Sequence, residues 1–270
     1  MASPPNPSDS LPPRPDSVSS SSPLAKQRNN EDPPWTGWDV LTIAGVTVGA
    51  SFIFGGAVMI AAKFLATGDT SLMTLARQPE LLLIAQLLAY AIVFAFMYSL
   101  VAARTGQFWN PLRWQWPTSW PAFLLGGAVL YIGLAGLGEL LPIPKHLPID
   151  RFFANSREAT LMSIFAVTFA PLMEELFFRG FLYPVLARRL GIWASILLTS
   201  AAFGILHGAQ LKYSWAVLII FLVGVVLTSV RAITRSLAAS FLMHVGYNGT
   251  LSVLMYRITD GFRHLEKLNQ

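Results

Sequence analysis

Between Glu158 and Asp260 the chain carries two carboxylates, and they are adjacent: Glu174 and Glu175. They interrupt a strongly apolar stretch, FAVTFAPLMEELFFRGFLYP. An acid at membrane depth costs on the order of 3 kcal/mol or more unless something compensates for it, so it marks a functional site by default. Glu175 and Arg179 are four apart with the acid N-terminal, the favourable orientation for a helical ion pair. Beside Arg179, Glu175 should stay ionised. Glu174 is turned about 100° away on the same helix and is free to face a cavity. Neighbouring acids with different partners can divide the work of base and brace.

Two more pairs have the same spacing. Phe203 and His207 lie in FGILHGAQ, and His244 and Asn248 in HVGYNG. With Glu174 they offer a free carboxylate, two imidazoles and an amide. That set suffices for hydrolysis: a glutamate deprotonates water, and His or Asn donates to an oxyanion. It also contains a ligand set for zinc, Glu174, His207 and His244. Each pair alone has a plainer reading. Glu175–Arg179 could be a structural ion pair, His207 an interfacial histidine, His244–Asn248 interhelical glue and Phe203 packing. Together the pairs account for almost every strongly polar residue in the apolar runs that bear them.

These residues need helices to hold them. The chain has 270 residues, 54% hydrophobic and only 12% charged, about half the charge fraction of soluble domains. The composition predicts an all-α, polytopic transmembrane helical bundle with seven to eight spanning helices. Apolar runs over Val40–Ala62, Leu81–Ala103, Trp114–Gly138, Ala159–Tyr183, Leu190–Leu211, Tyr213–Val230 and Ser236–Tyr256 supply seven, each near the ~20 residues that a span requires. The transmembrane domain is expected over 35–260, with scaffold helices at 38–141 and the chemistry at 159–257. Residues 1–34 form a Pro/Ser-rich tail unable to bury a core, with a PPRP run at Pro12 to Pro15, and 261–270 a short polar tail. The connection Pro142–Glu158 reads as a connector rather than a gate. Arg104, Arg113, Arg188, Arg189, Arg231 and Arg235 fall in loops on the N-terminal side, which points to a cytosolic N-terminus.

At about 1.5 Å per residue, His244 lies about 13 Å from Arg235, Glu174 about 21 Å from Arg188, and His207 roughly 20–27 Å from its span's start. The three meet only with tilt or a kink, for which Pro171 and Gly180 are the candidate places.

EELFFR (Glu174 to Arg179), FGILH (Phe203 to His207) and HVGYN (His244 to Asn248) resemble, in order and spacing, the EExxxR, FxxxH and HxxxN motifs of the CPBP intramembrane proteases. That family includes type II CAAX prenyl endopeptidases and bacteriocin-processing or self-immunity proteins. The resemblance covers roughly Ala159 to Tyr256. It implies a glutamate-dependent membrane endopeptidase. Glu174 would act on water, Glu175 with Arg179 would support it, and His207 would be a site partner. His244 and Asn248 would stabilise the oxyanion. It favours no cofactor, with Zn2+ the alternative, and a peptide or membrane-protein substrate, prenylated in one branch of the family.

Other classes fit poorly. The chain has no cysteine, so thiol nucleophiles, thiolate metal sites and disulfides are excluded. HExxH and the Gly-x-Ser-x-Gly elbow are absent from the sequence, and every aspartate lies in the tail or a loop. The net charge of +5 is dispersed at the ends of apolar runs and does not indicate a nucleic-acid partner. The lipid bilayer is the expected surroundings, in an inner or plasma membrane, while oligomeric state is not legible. The alternative is a non-catalytic immunity or scaffold protein with the same fold. A transporter ranks last, because the polar residues cluster in one half instead of following a path.

Overall fold

The computed structural model describes residues 32–66 and 71–269. Among them the regular structure is helical. Helix α1 spans Gly37–Leu65, capped by the Thr36 hydroxyl and the Asp39 carboxylate in a capping box. Helix α2 spans Pro79–Thr105, with proline in the first turn and left-handed Gly106 as its C-cap. A single turn, Leu72–Leu75, precedes it. Helix α3 spans Trp120–Gly138. The fourth pass is α4, Ser156–Val167, then α5, Phe169–Glu175, a π-helical stretch, Leu176–Leu182, and α6, Tyr183–Leu190. Then come α7, Ile192–Leu206, α8, Ala216–Thr234, and α9, Leu237–Ile258.

Four of these passes, α1, α2, α3 and α8, and the whole stretch Ser156–Leu190 are long and apolar enough to cross a membrane. The other two expected spans differ. Helix α7 has 15 residues instead of the expected run to Leu211: it stops at His207, and a 3-10 turn over Gly208–Leu211 follows. Helix α9 has 22 residues but carries Ser240, His244, Asn248 and Ser252, which dilute its apolar character. The third span begins at Trp120, not Trp114. Pro117 disfavours helix at Trp116, and Trp114 packs instead on Trp109 and Phe241.

The fourth pass shows why its residues do not make one straight helix. Pro171 has no N–H to give the Val167 carbonyl, and the helix breaks at Thr168 (φ −114°, ψ −72°). Pro184 likewise cannot bond the Gly180 carbonyl, and the turn before it widens into the π stretch, where the Tyr183 amide donates to the Phe178 carbonyl. The kink expected near Pro171 and Gly180 is therefore a break followed by a π segment. Such insertions gather at functional sites.

This pass lies between two cores. One face packs Met173, Leu176, Phe181 and Val185 against α1 and α2 residues such as Ile43, Val93 and Met97. The other packs Phe178 against Phe203 of α7, Val223 and Leu227 of α8, and Tyr247 of α9. Helix α3 lies along α9, closest where Gly127 and Gly246 leave room for backbone.

The tail expected over 1–34 lies outside the described residues up to Glu31, including the PPRP run. Its last residues pack on the bundle: Arg188 pairs with Asp32 at 2.9 Å and donates to the Pro33 carbonyl. Arg104 donates to the Pro34 carbonyl and pairs with Asp39. The C-terminal segment, expected to be a polar tail, tucks Phe262 under the Tyr256 ring. The connection Pro142–Glu158 contains a 3-10 turn, Pro148–Phe153, that packs on Gly208–Leu211 beside His207.

Candidate active site

The site is built where α5, the π segment, α7, α8 and α9 converge. Helix α5 ends at Glu175, so both acids stand immediately before the π turns that carry Arg179. Glu175 and Arg179 have no exposure, whereas the Glu174 side chain is 21% exposed. That difference separates a sealed acid from a reachable one.

Glu175 is fully engaged. Its Oε1 accepts from Arg179 Nη1 at 2.8 Å and sits 2.9 Å from His244 Nδ1. Its Oε2 accepts from the Ser240 hydroxyl at 2.5 Å. Arg179 also donates twice to α8: Nη2 to the Gly224 carbonyl and Nε to Thr228 Oγ1, both at 3.2 Å. Thr228 can accept because its own proton goes back to the Gly224 carbonyl at 2.7 Å. The guanidinium also lies over the Phe203 ring, 4.6 Å from its centroid. The cation is therefore bound by a carboxylate, two oxygens and a ring face, the neutralisation that a buried charge requires.

The histidines turn the same way. His207 Nδ1 lies 2.8 Å from the Phe203 carbonyl, which can only accept, so Nδ1 carries a proton. His244 Nδ1 faces the Glu175 carboxylate and is protonated for the same reason. Both Nε2 atoms then face Glu174: His207 at 3.7 Å from Oε1, His244 at 3.7 Å from Oε2. These separations exceed hydrogen-bond reach, so Glu174 stands between two imidazoles without being locked to either. Both rings lie near that of Phe203, with centroids 4.6 and 6.0 Å from its own.

Asn248 is placed differently from the role its family motif implies. Its amide donates to the Ala166 carbonyl at 2.7 Å, beside the break at Thr168. One amide proton is thus committed to backbone, and Asn248 ties α9 to the end of α4. The residues named from sequence, Glu174, Glu175, Arg179, Phe203, His207, His244 and Asn248, all gather here. Among the described residues no three His, Asp or Glu side chains are set to hold a metal ion; the two imidazoles face different oxygens of one carboxylate.

Sequence reasoning missed Ser240, Thr228 and the Gly224 carbonyl. Ser240 stands four residues before His244, so extending that helical face by one turn would have found it. The run Tyr213–Val230, which carries Thr228, has no charged or amide side chain, yet the Thr228 hydroxyl and two of the run's carbonyls, Gly224 and Leu227, bond Arg179 and Ser240. Carbonyls give no sequence signal.

Residues 156–250 match the family described as type II CAAX prenyl endopeptidase Rce1-like, a block that contains every site residue named above. The chain is also 24% identical over 175 residues to UPF0177 protein YbdI of Lactococcus lactis subsp. lactis (strain IL1403), covering 62% of this chain and 92% of that protein. No solved structure matches at comparable significance. Through its residues 156–250, on the bundle that gathers Glu174 to Asn248, the chain is similar to the type II CAAX prenyl endopeptidase Rce1-like family.

Proposed function

We propose that the chain is an intramembrane endopeptidase that hydrolyses a peptide bond with water activated by Glu174. The observation that carries this reading is the contrast between the two acids: Glu175 is saturated by Arg179, Ser240 and His244, while Glu174 is reachable and uncommitted between two Nε2 atoms. In the reaction Glu174 takes a proton from water as the hydroxyl oxygen adds to the scissile carbonyl carbon. The oxyanion is held by the second Asn248 amide proton, while His244, its Nδ1–H given to Glu175, turns Nε2 to the site as an acceptor for the attacking water. The C–N bond then breaks and the proton on Glu174 passes to the leaving amine. Glu175 fixes the His244 tautomer, and Arg179 keeps Glu175 ionised. His207 borders the water and orients Glu174. The substrate class is a peptide or membrane-protein segment at the bilayer.

The test is cleavage by purified protein in liposomes, against prenylated and unprenylated peptides. Wild type, Glu174→Gln and wild type with a zinc chelator run side by side. Cleavage is expected from wild type and from the chelated sample, with a loss of at least about a thousandfold in Glu174→Gln, the scale on which removing an essential general base acts. Cleavage abolished by chelator moves the chemistry to a metal. A folded wild type that cleaves nothing favours a non-catalytic membrane partner.

A further inference from the structure

Helix α9 reaches Glu175 with a second side chain, one that lies outside the three sequence motifs. Ser240 stands one turn before His244, just after Leu237, Ala238 and Ala239, and all four are fully buried. Other hydroxyls of the bundle donate to the carbonyl four residues back on their own helix, as those of Ser195, Ser200, Thr228 and Thr250 do. The Ser240 hydroxyl instead crosses to the fourth pass. Its Oγ lies 2.5 Å from Glu175 Oε2, with the Leu227 carbonyl of α8 3.0 Å away. A hydroxyl has one proton to give, and the ionised acceptor at the shorter distance takes it. Packing alone does not call for this group, since alanine would continue the apolar run before it.

The bond governs how Glu175 meets His244. Oε1 takes both Arg179 Nη1 and His244 Nδ1, at 2.8 and 2.9 Å. Held by that oxygen alone, the carboxylate plane can swing, because the terminal torsion of a glutamate is broad. Ser240 pins the other oxygen. Residues four apart share a helix face, so Ser240 and His244 grip the two oxygens of one carboxylate from one helix. The far nitrogen of that imidazole, Nε2, stands 3.7 Å from Glu174 Oε2, so any turn of the ring changes where the water sits against the base. We propose that Ser240 is a positioning residue: its hydroxyl clasps Glu175 Oε2, keeps Oε1 in line with His244 Nδ1, and so holds His244 Nε2 on the water beside Glu174. This rests on the proteolytic reading above and adds to it a residue that acts only through Glu175.

Ser240→Ala removes the clasp, and Ser240→Cys replaces it with a weak donor. Two measurements are made in liposomes, at a temperature where each variant is folded. The first is kcat and KM on a farnesylated peptide and its unprenylated counterpart. The second is the NMR signal of the His244 Nδ1–H proton in protein labelled with 15N-histidine, which needs no turnover. A misplaced imidazole predicts kcat lowered about ten- to a hundredfold in Ser240→Ala, with KM within about twofold of wild type. The His244 proton signal should shift or broaden, and Ser240→Cys should fall between the two in both measurements. If Ser240→Ala does not fold, Ser240→Cys decides by the same criteria. A melting temperature lowered with kcat and the His244 signal unchanged marks a purely structural role and overturns the proposal, as does a raised KM at unchanged kcat. If wild type cleaves nothing but the His244 signal moves in the variants, the proteolytic reading fails and the clasp stands. If nothing is cleaved and the signal stays put, both fall.

Discussion

Arg179 holds the site together at the scale of single residues, because its guanidinium joins Glu175 of the fourth pass to Thr228 and Gly224 of α8. A lysine ammonium cannot reproduce that fork. Arg179→Met leaves Glu175 buried beside His244 and Ser240 with no full cation, and is expected to destabilise the protein by about 3–5 kcal/mol. Arg179→Lys should fall between it and wild type, and Thr228→Val, which removes one hydrogen bond, should cost about 1 kcal/mol. Denaturation in detergent orders the three. A Thr228→Val loss as large as that of Arg179→Met would mean that the hydroxyl, not the ion pair, anchors the arginine. Ser240→Ala tests the same acid from α9. It removes a hydrogen bond to a charged group, for which about 1.5–3 kcal/mol is expected.

Helices bring these residues within reach only where their backbones approach closely. A Cβ at Gly246 would stand 2.2 Å from the Leu124 carbonyl oxygen, and one at Gly127 2.1 Å from that of Met243. Both clashes are with backbone, so no rotamer relieves them, and α3 and α9 must move apart. Small residues at such crossings are the usual means of close packing between membrane helices. Gly246→Ala is therefore expected to displace His244 and Asn248, which flank it on α9, and to lower cleavage at least about tenfold, since displacements near 1 Å can cost about a hundredfold. Gly45→Ala in α1, whose Cβ would meet nothing within 4 Å, should leave the rate unchanged. Equal rates in both variants would mean that the α3–α9 contact does not set the site. The motif residues were legible in the sequence because i,i+4 spacing on apolar runs is a strong signal, and the fourth pass because its acids stand out from lipid-compatible surroundings. The break at Thr168 and the π stretch were legible only as proline positions. The early end of α7 was not legible at all; just past it, a Cβ at Gly208 would meet the Tyr213 ring at 2.3 Å, a contact made only in the folded chain. The Asn248 bond to Ala166 was hidden for the same reason, since its partner is a carbonyl beside a break.

Across the whole molecule, the segment before α1 is fastened to the fourth pass. Trp35 is 1% exposed, its Nε1 donates to the Phe181 carbonyl at 3.1 Å, and its ring lies 4.8 Å from that of Phe181. Phe181 belongs to the π stretch that carries Arg179, two residues away. Arg188 donates to the Trp35 carbonyl and pairs with Asp32, and Arg104 fixes Pro34 and Asp39 from α2. The start of the scaffold thus reaches the π stretch that follows Glu175. Trp35→Ala removes a large buried ring, which costs about 3–5 kcal/mol, and unseats the π stretch. Both the melting temperature and the cleavage rate should fall. Trp35→Phe keeps a ring against Phe181 and forfeits one hydrogen bond, about 1 kcal/mol, so its rate should stay close to wild type. If Trp35→Ala melts lower yet cleaves at the wild-type rate, the segment stabilises the bundle without reaching the site. A fall in rate at unchanged melting temperature would place its effect on the π stretch alone.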